Sequence, residues 1–181
     1  MFKLDKKEED LKVLYSDKQL AKRVQELAVE INNEFKDVDN LVVIGVLCGS
    51  MLFFSDLVRH LNMPVQLEFI RLSSYGHKQE SSGKIKPVDL TLPSLEGQNV
   101  LIVEDIVDTG LTATFLIDYI KFQHKAEKIK FATLLDKKCA RVHQVPVDFI
   151  GFDIDDKFVV GYGLDYLGYY RNLPYIGYFS N

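Results

Sequence analysis

The 181-residue chain predicts a single α/β domain built on a parallel sheet, and three observations carry that expectation. Short apolar, β-branched runs such as Leu41-Val42-Val43-Ile44-Gly45-Val46-Leu47 have strand length and no polar alternation, as strands covered on both faces do. Stretches with helical spacing alternate with them, which calls for right-handed crossovers between parallel strands. Hydrophobic residues make up 47% and charged residues 27%, so the chain can bury a core of ordinary size.

The elements follow in order. Ser16-Asp17-Lys18-Gln19 reads as a capping box. Behind it Leu20, Val24, Leu27, Ala28, Ile31 and Phe35 form one apolar stripe at helical spacing. After the strand at 41–47, Cys48-Gly49-Ser50 makes a turn and 51–61 has the pattern of the next helix. A second strand is expected at 65–72. The segment 73–86 is polar, with glycines and no apolar periodicity, and reads as a functional lid. A buried strand at 100–103 is expected to end at Glu104-Asp105, with a helix over 111–122. Further strands are expected at 128–135 and 147–154, and a short one at 157–162. The core would span about 36–155, with the two end segments folded together as a small hood over the sheet's carboxyl edge.

Net charge is -4 and the lysines and arginines are scattered, so nucleic acid is not expected as a partner. The two cysteines, Cys48 and Cys139, form no C-x-x-C pair, which excludes a disulfide framework and fits a reducing compartment. His60, His77, His124 and His143 lack metal-ligand spacing. The charged beginning is unlike a signal peptide, and no run is long enough to cross a bilayer. The cytoplasm is the expected location, with no membrane partner.

The most informative stretch is Val100-Leu101-Ile102-Val103-Glu104-Asp105-Ile106-Val107-Asp108-Thr109-Gly110-Leu111-Thr112. A buried strand delivers two carboxylates to the sheet's carboxyl edge, where open α/β sheets bind ligands. The turn at Thr109-Gly110 then opens a helix whose first N–H groups, with the threonine hydroxyls, suit a phosphate monoester. Carboxylates beside a phosphate imply a sugar between them, with Glu104 and Asp105 accepting from its hydroxyls. They also call for a divalent cation to offset like charges, and magnesium suits oxygen donors of this kind. A Walker loop is excluded, because its Gly-Lys-Ser/Thr is missing.

This block resembles the phosphoribosyl pyrophosphate signature of type I phosphoribosyltransferases, and the wider chain resembles the hypoxanthine-guanine branch of that family. Phe69-Ile70-Arg71-Leu72-Ser73-Ser74-Tyr75 is similar to the start of the family's mobile loop, so Ser74 and Tyr75 would ride on the lid. Asp156-Lys157-Phe158-Val159-Val160-Gly161-Tyr162-Gly163-Leu164-Asp165-Tyr166 is similar to its base-binding segment, and Tyr170-Arg171-Asn172-Leu173-Pro174-Tyr175-Ile176-Gly177 to its bacterial tail. The resemblance implies a parallel-sheet core with a small hood and the transfer of a phosphoribosyl group to a 6-oxopurine.

It also implies roles. Asp108 would exchange a proton with purine N7, the other reading being a helix cap. Lys137 would bind the 6-oxo group, although neighbouring Lys138 looks the same without the family. Phe158 would stack on the purine and the Val159 main chain would read its edge. Asp165 would lie near a second magnesium and the 2-position of the base, and Arg171 would bind pyrophosphate. The backbone of Cys48 and Gly49 would approach pyrophosphate, glycine permitting the close contact. Family members often carry a basic or amide residue at Cys48, which reads here as a small packed residue. Leu111 replaces a lysine of some relatives and suits the helix's first turn. A homodimer or homotetramer is the family tendency. Two other readings stand beside the enzyme: a phosphoribosyl-sensing regulator that binds nucleic acid, and a transferase preferring xanthine or another base.

Overall fold

The computed structural model describes residues 8–74 and 85–180. A short strand, β1 (Leu11–Tyr15), leads into α1 (Asp17–Glu34). The Ser16 side chain accepts from the Gln19 backbone N–H and the Gln19 side chain accepts from the Ser16 backbone, completing the expected capping box. All six residues of the predicted stripe, from Leu20 to Phe35, are buried. Arg23 secures the helix to the far side of the sheet by donating to the carbonyls of Gly151 and Ile150, at 2.8 and 2.7 Å.

The main sheet contains β2 (Leu41–Leu47), β3 (Val65–Ser74), β4 (Ile85–Asp89), β5 (Asn99–Val107), β6 (Lys128–Asp136) and β7 (Phe149–Asp153). Their order is β4-β3-β2-β5-β6-β7. All are parallel except β4, which pairs antiparallel with β3 at one edge. The α/β parallel-sheet fold expected from the sequence is thus the fold observed. α2 (Met51–Val58) links β2 to β3 on the α1 face, and α3 (Leu111–Gln123) links β5 to β6 on the other. Two apolar layers result. Val43, Leu101 and Val103 pack with α1 and α2, while Ile44, Ile102 and Phe131 pack with α3.

β2 and β5 are neighbours whose following connections run in opposite directions, to β3 and to β6. Such a switch point leaves a crevice at the carboxyl edge of the two strands. Above that edge β8 (Val159–Val160) and β9 (Ile176–Phe179) join β1 in a three-stranded antiparallel sheet, order β1-β9-β8.

Several boundaries differ from the sequence reading. The strand expected to stop at Glu104-Asp105 continues to Val107, because Glu104, Ile106 and Val107 still pair with Thr133, Leu135 and Asp136 of β6. The expected helix 51–61 ends at Val58, and the expected strand 157–162 shrinks to Val159–Val160. The lid segment begins and ends in strand: Ser73 and Ser74 belong to β3, facing Lys86 and Ile85 of β4. The rest of that segment, Tyr75 included, lies outside the described residues.

Candidate active site

Side chains alternate along a strand, but the continuation of β5 breaks that order: Ile106 packs with the α1 and α2 layer that Leu101 and Val103 join, and Val107 with the α3 layer of Ile102. Glu104 is buried, and its Oε2 has no hydrogen-bond partner among the described residues. Asp105 is half-buried against the turn after β2. A Cβ on Gly49 would lie 1.7 Å from Asp105 Oδ2. Only glycine at 49 leaves the carboxylate its place, and this contact joins the two loops of the crevice.

Burial pushes the Glu104 carboxyl well above the usual carboxylate range, reinforced by the charges of Asp105 and Asp108. Burial also lifts Asp105 to about 6, against backbone donors and Arg171, which act in the opposite direction. The ligand-free crevice therefore holds negative charge at a cost. A carboxyl whose folded pKa exceeds its unfolded value stabilises the fold fully below the unfolded pKa, and that contribution is lost as pH rises through the folded one. For Asp105 the window runs from about pH 4 to about pH 6. Asp105→Asn is accordingly expected to stabilise the ligand-free protein at pH 7.5 by about 1–2 kcal/mol, or about 2–8 °C in Tm. Its advantage should shrink as pH is lowered toward 5. Thermal melts across that range check this, and an unchanged or lower Tm at pH 7.5 contradicts it.

Past β5, Asp108 is exposed and its Oδ1 accepts from the Thr109 N–H. The N-cap of α3 is Gly110, at φ 82°, with no side-chain cap hydrogen bond. The cap reading of Asp108 therefore falls. Thr109 Oγ1 accepts from the Leu111 N–H at 3.4 Å. The terminus of α3 keeps the N–H groups that an anion takes at such sites.

Across the crevice, Cys48 follows the last residue of β2 through a cis peptide bond. It is exposed, not packed as the sequence reading had it, since the chain has already left the sheet there. Arg171 Nη1 donates to the Gly163 carbonyl at 2.6 Å, and Nη2 pairs with Asp165 Oδ1 at 2.6 Å. Asp165 Oδ2 accepts from the Gly168 N–H. Gly163, at φ 102°, approaches the Gly49 carbonyl so closely that a Cβ would lie 2.0 Å from it. Arg171 and Asp165 are thus tied to the turn at Cys48-Gly49.

The two candidate lysines separate clearly. Lys137 Nζ lies 2.6 Å from Asp156 Oδ1 and donates to the Lys157 carbonyl at 3.3 Å, so it faces the segment bearing Phe158 and Val159. Lys138 turns instead to Asp153, at 2.7 Å. Phe158 is 57% exposed, with one ring edge on Tyr166. It is therefore not a core aromatic but one with a free face. Val159 is buried and paired with Tyr178.

The sequence reading missed Arg141 and Asp136. Asp136 is buried at the end of β6 and pairs with Arg141, which reaches back to the loop after β5. A charged residue continuing an apolar strand, with an arginine five positions on, was the available signal.

Comparison with known proteins agrees with this geometry. Residues 10–167 match the family described as phosphoribosyl transferase domain. The chain is 45% identical to a hypoxanthine-guanine phosphoribosyltransferase of Bacillus subtilis, over 92% of this chain and 91% of that protein. It is 42% identical to a hypoxanthine phosphoribosyltransferase of Haemophilus influenzae, over 94% and 96% respectively. Among solved structures, a hypoxanthine-guanine phosphoribosyltransferase of Bacillus anthracis superposes with a TM-score of 0.86 at 44% identity, covering 92% of this chain and 97% of that one. A hypoxanthine phosphoribosyltransferase of Staphylococcus aureus gives 0.88 at 35% identity, covering 95% and 93%. The switch-point crevice, its acidic strand and uncapped helix, and this likeness over nearly the whole chain agree: the chain belongs to the hypoxanthine-guanine phosphoribosyltransferase family.

Proposed function

We infer that this enzyme serves purine salvage, transferring the 5-phosphoribosyl group of phosphoribosyl pyrophosphate to N9 of hypoxanthine or guanine. The products are IMP or GMP and pyrophosphate. The observation that carries the reading is the meeting of three features at one sheet edge: the acidic end of β5, the uncapped α3 terminus, and Lys137 turned toward Phe158.

In this reading the 5-phosphate lies on the amides and hydroxyls of Thr109, Gly110, Leu111 and Thr112. The ribose hydroxyls face Glu104 and Asp105. Pyrophosphate is received by the Cys48-Gly49 backbone and Arg171. The purine stacks on Phe158, offers its 6-oxo group to Lys137 and its pyrimidine edge to the Val159 main chain. N9 bonds to C1 of the ribose as the C1–oxygen bond to pyrophosphate breaks, and Asp108 takes the proton that leaves N7. The same carboxylate faces the positive charge that builds on the sugar. Ser74 and Tyr75 belong to the lid that keeps water from that sugar.

The donors suit magnesium. Among the described residues Glu104 keeps a buried oxygen without a partner, and both acidic residues of β5 are pushed toward protonation. Among the described residues no three acidic, histidine or cysteine side chains gather into a metal cluster. A hard ion at this site would draw most of its oxygens from ligand and water. Held by Glu104 and Asp105, with Asp165 near a second ion, magnesium would neutralise the charge of the pyrophosphate. Turnover is expected to vanish with excess chelator and return on adding magnesium; full turnover after thorough chelation contradicts this.

The acidic net charge and the scattered basic residues support small-molecule partners over a nucleic-acid regulator. The two free cysteines support the reducing cytoplasm, and the family tendency supports a homodimer or homotetramer. The direct test incubates the protein with magnesium, phosphoribosyl pyrophosphate and a panel of bases, and quantifies the nucleotide formed. Absence of IMP and GMP overturns the reading.

A further inference from the structure

We propose that the segment from Lys137 to His143 is a clamp that sets the phosphate loop, with Arg141 as its positioning residue; this rests on the reading above. The backbone carbonyls of Val107, Asp108 and Thr109 all point away from the crevice into donors of this one segment. The Lys137 N–H takes the Val107 carbonyl at 2.9 Å, and the Val142 and His143 N–H groups take that of Thr109 at 3.0 and 2.8 Å. The Arg141 guanidinium supplies the rest: Nε donates to the Asp108 carbonyl at 3.0 Å and Nη2 to that of Val107 at 3.3 Å. Nη2 also pairs with Asp136, whose side chain is 2% exposed.

Turning consecutive carbonyls outward leaves the N–H groups of the same peptides, those of Asp108, Thr109 and Gly110, facing the other way as in a backbone nest for an anion, with the Thr109 N–H held meanwhile by Asp108 Oδ1. The fit is close. A Cβ on Gly110 would lie 2.4 Å from the His143 carbonyl and 2.9 Å from Arg141 Cδ, so the clamp presses directly on the loop. An arginine suits this task because its planar fork can meet two carbonyls and a carboxylate at once, whereas an ammonium is a point charge. The segment begins at Lys137, which faces the Phe158 side of the crevice. One stretch of chain therefore sets the distance between the purine end and the phosphate end.

The discriminating variant is Arg141→Lys, which keeps a cation beside buried Asp136 and removes only the fork. Arg141→Ala would leave that carboxylate buried and unpaired, which destabilises the fold itself. In the reverse reaction, Arg141→Lys is expected to raise KM for IMP by about 10–100-fold, as a displaced positioning group does. KM for pyrophosphate, received by Cys48-Gly49 and Arg171 across the crevice, should stay within about twofold. Hydrogen exchange in the ligand-free protein gives a readout independent of turnover. The amides of residues 109–112 should exchange at least about tenfold faster in the variant, with those of β5 unchanged. A lower Tm with unaltered kinetic constants per folded site, or equal rises in both KM values, overturns the clamp. So does unchanged exchange at 109–112, even if the wild type forms no nucleotide. Loss of IMP and GMP formation by the wild type, with faster exchange in the variant, overturns the proposed function and leaves the clamp standing.

Discussion

Asp108→Asn is expected to slow turnover by about 10²–10⁴-fold, the range for losing a positioned acid/base group, while KM for phosphoribosyl pyrophosphate changes little. The geometry makes this substitution clean. Gly110, not Asp108, occupies the N-cap of α3, so no helix cap is lost. Asparagine still offers an oxygen to the Thr109 N–H that the carboxylate now accepts from. The Asp108 carbonyl is held by Arg141 whatever the side chain. What disappears is the ability to take the N7 proton and the negative charge opposite the sugar. Steady-state rates of IMP formation and the KM for each substrate check the prediction. A near-normal kcat would remove Asp108 from the proton transfer.

The second large effect concerns the choice of base. Hypoxanthine and guanine are expected to be substrates, with adenine disfavoured by roughly 10⁴-fold, as sites built on polar pairing reject a mismatched partner. Lys137 presents only donors, so it accepts a 6-oxo group and opposes a 6-amino group. Its present partners are the Asp156 carboxylate and the Lys157 carbonyl, both acceptors in the segment that bears Phe158. The Val159 carbonyl can accept from the 2-amino group of guanine, whereas the 2-oxo group of xanthine would meet an acceptor. Guanine and hypoxanthine should differ far less, because only this one peripheral contact changes. Lys137→Met should flatten the preference for 6-oxopurines in a competition assay. Efficient use of adenine by the wild type refutes Lys137 as the reader. Unchanged discrimination in the mutant transfers the task to the backbone, since Lys138 is committed to Asp153.

Much of this architecture follows from local pattern. The capping box at Ser16, the stripe from Leu20 to Phe35 and the buried run at 41–47 appear where periodicity and caps put them. These signals depend on neighbours within one or two turns, so the sequence carries them directly. The acidic pair, the Thr109-Gly110 turn and the helix after it were legible for the same reason. Boundaries were less so. β5 runs on past Glu104 because β6 lies beside it, a partner 29 or so residues away that no local window contains.

The sequence by itself determined that this is an α/β domain with a Thr-Gly turn and a helix following an acidic strand, because strand runs, helix stripes and turn residues are local chemistry. Only the tertiary structure decided which side chains meet there. It buried Glu104, brought Gly49 against Asp105, and turned Lys137 rather than Lys138 toward Phe158. It also set Arg141 behind the loop that follows β5. Each of these depends on strand pairing and loop contacts between segments far apart in the chain, and a carboxylate's pKa or a lysine's direction is fixed only once those neighbours are in place.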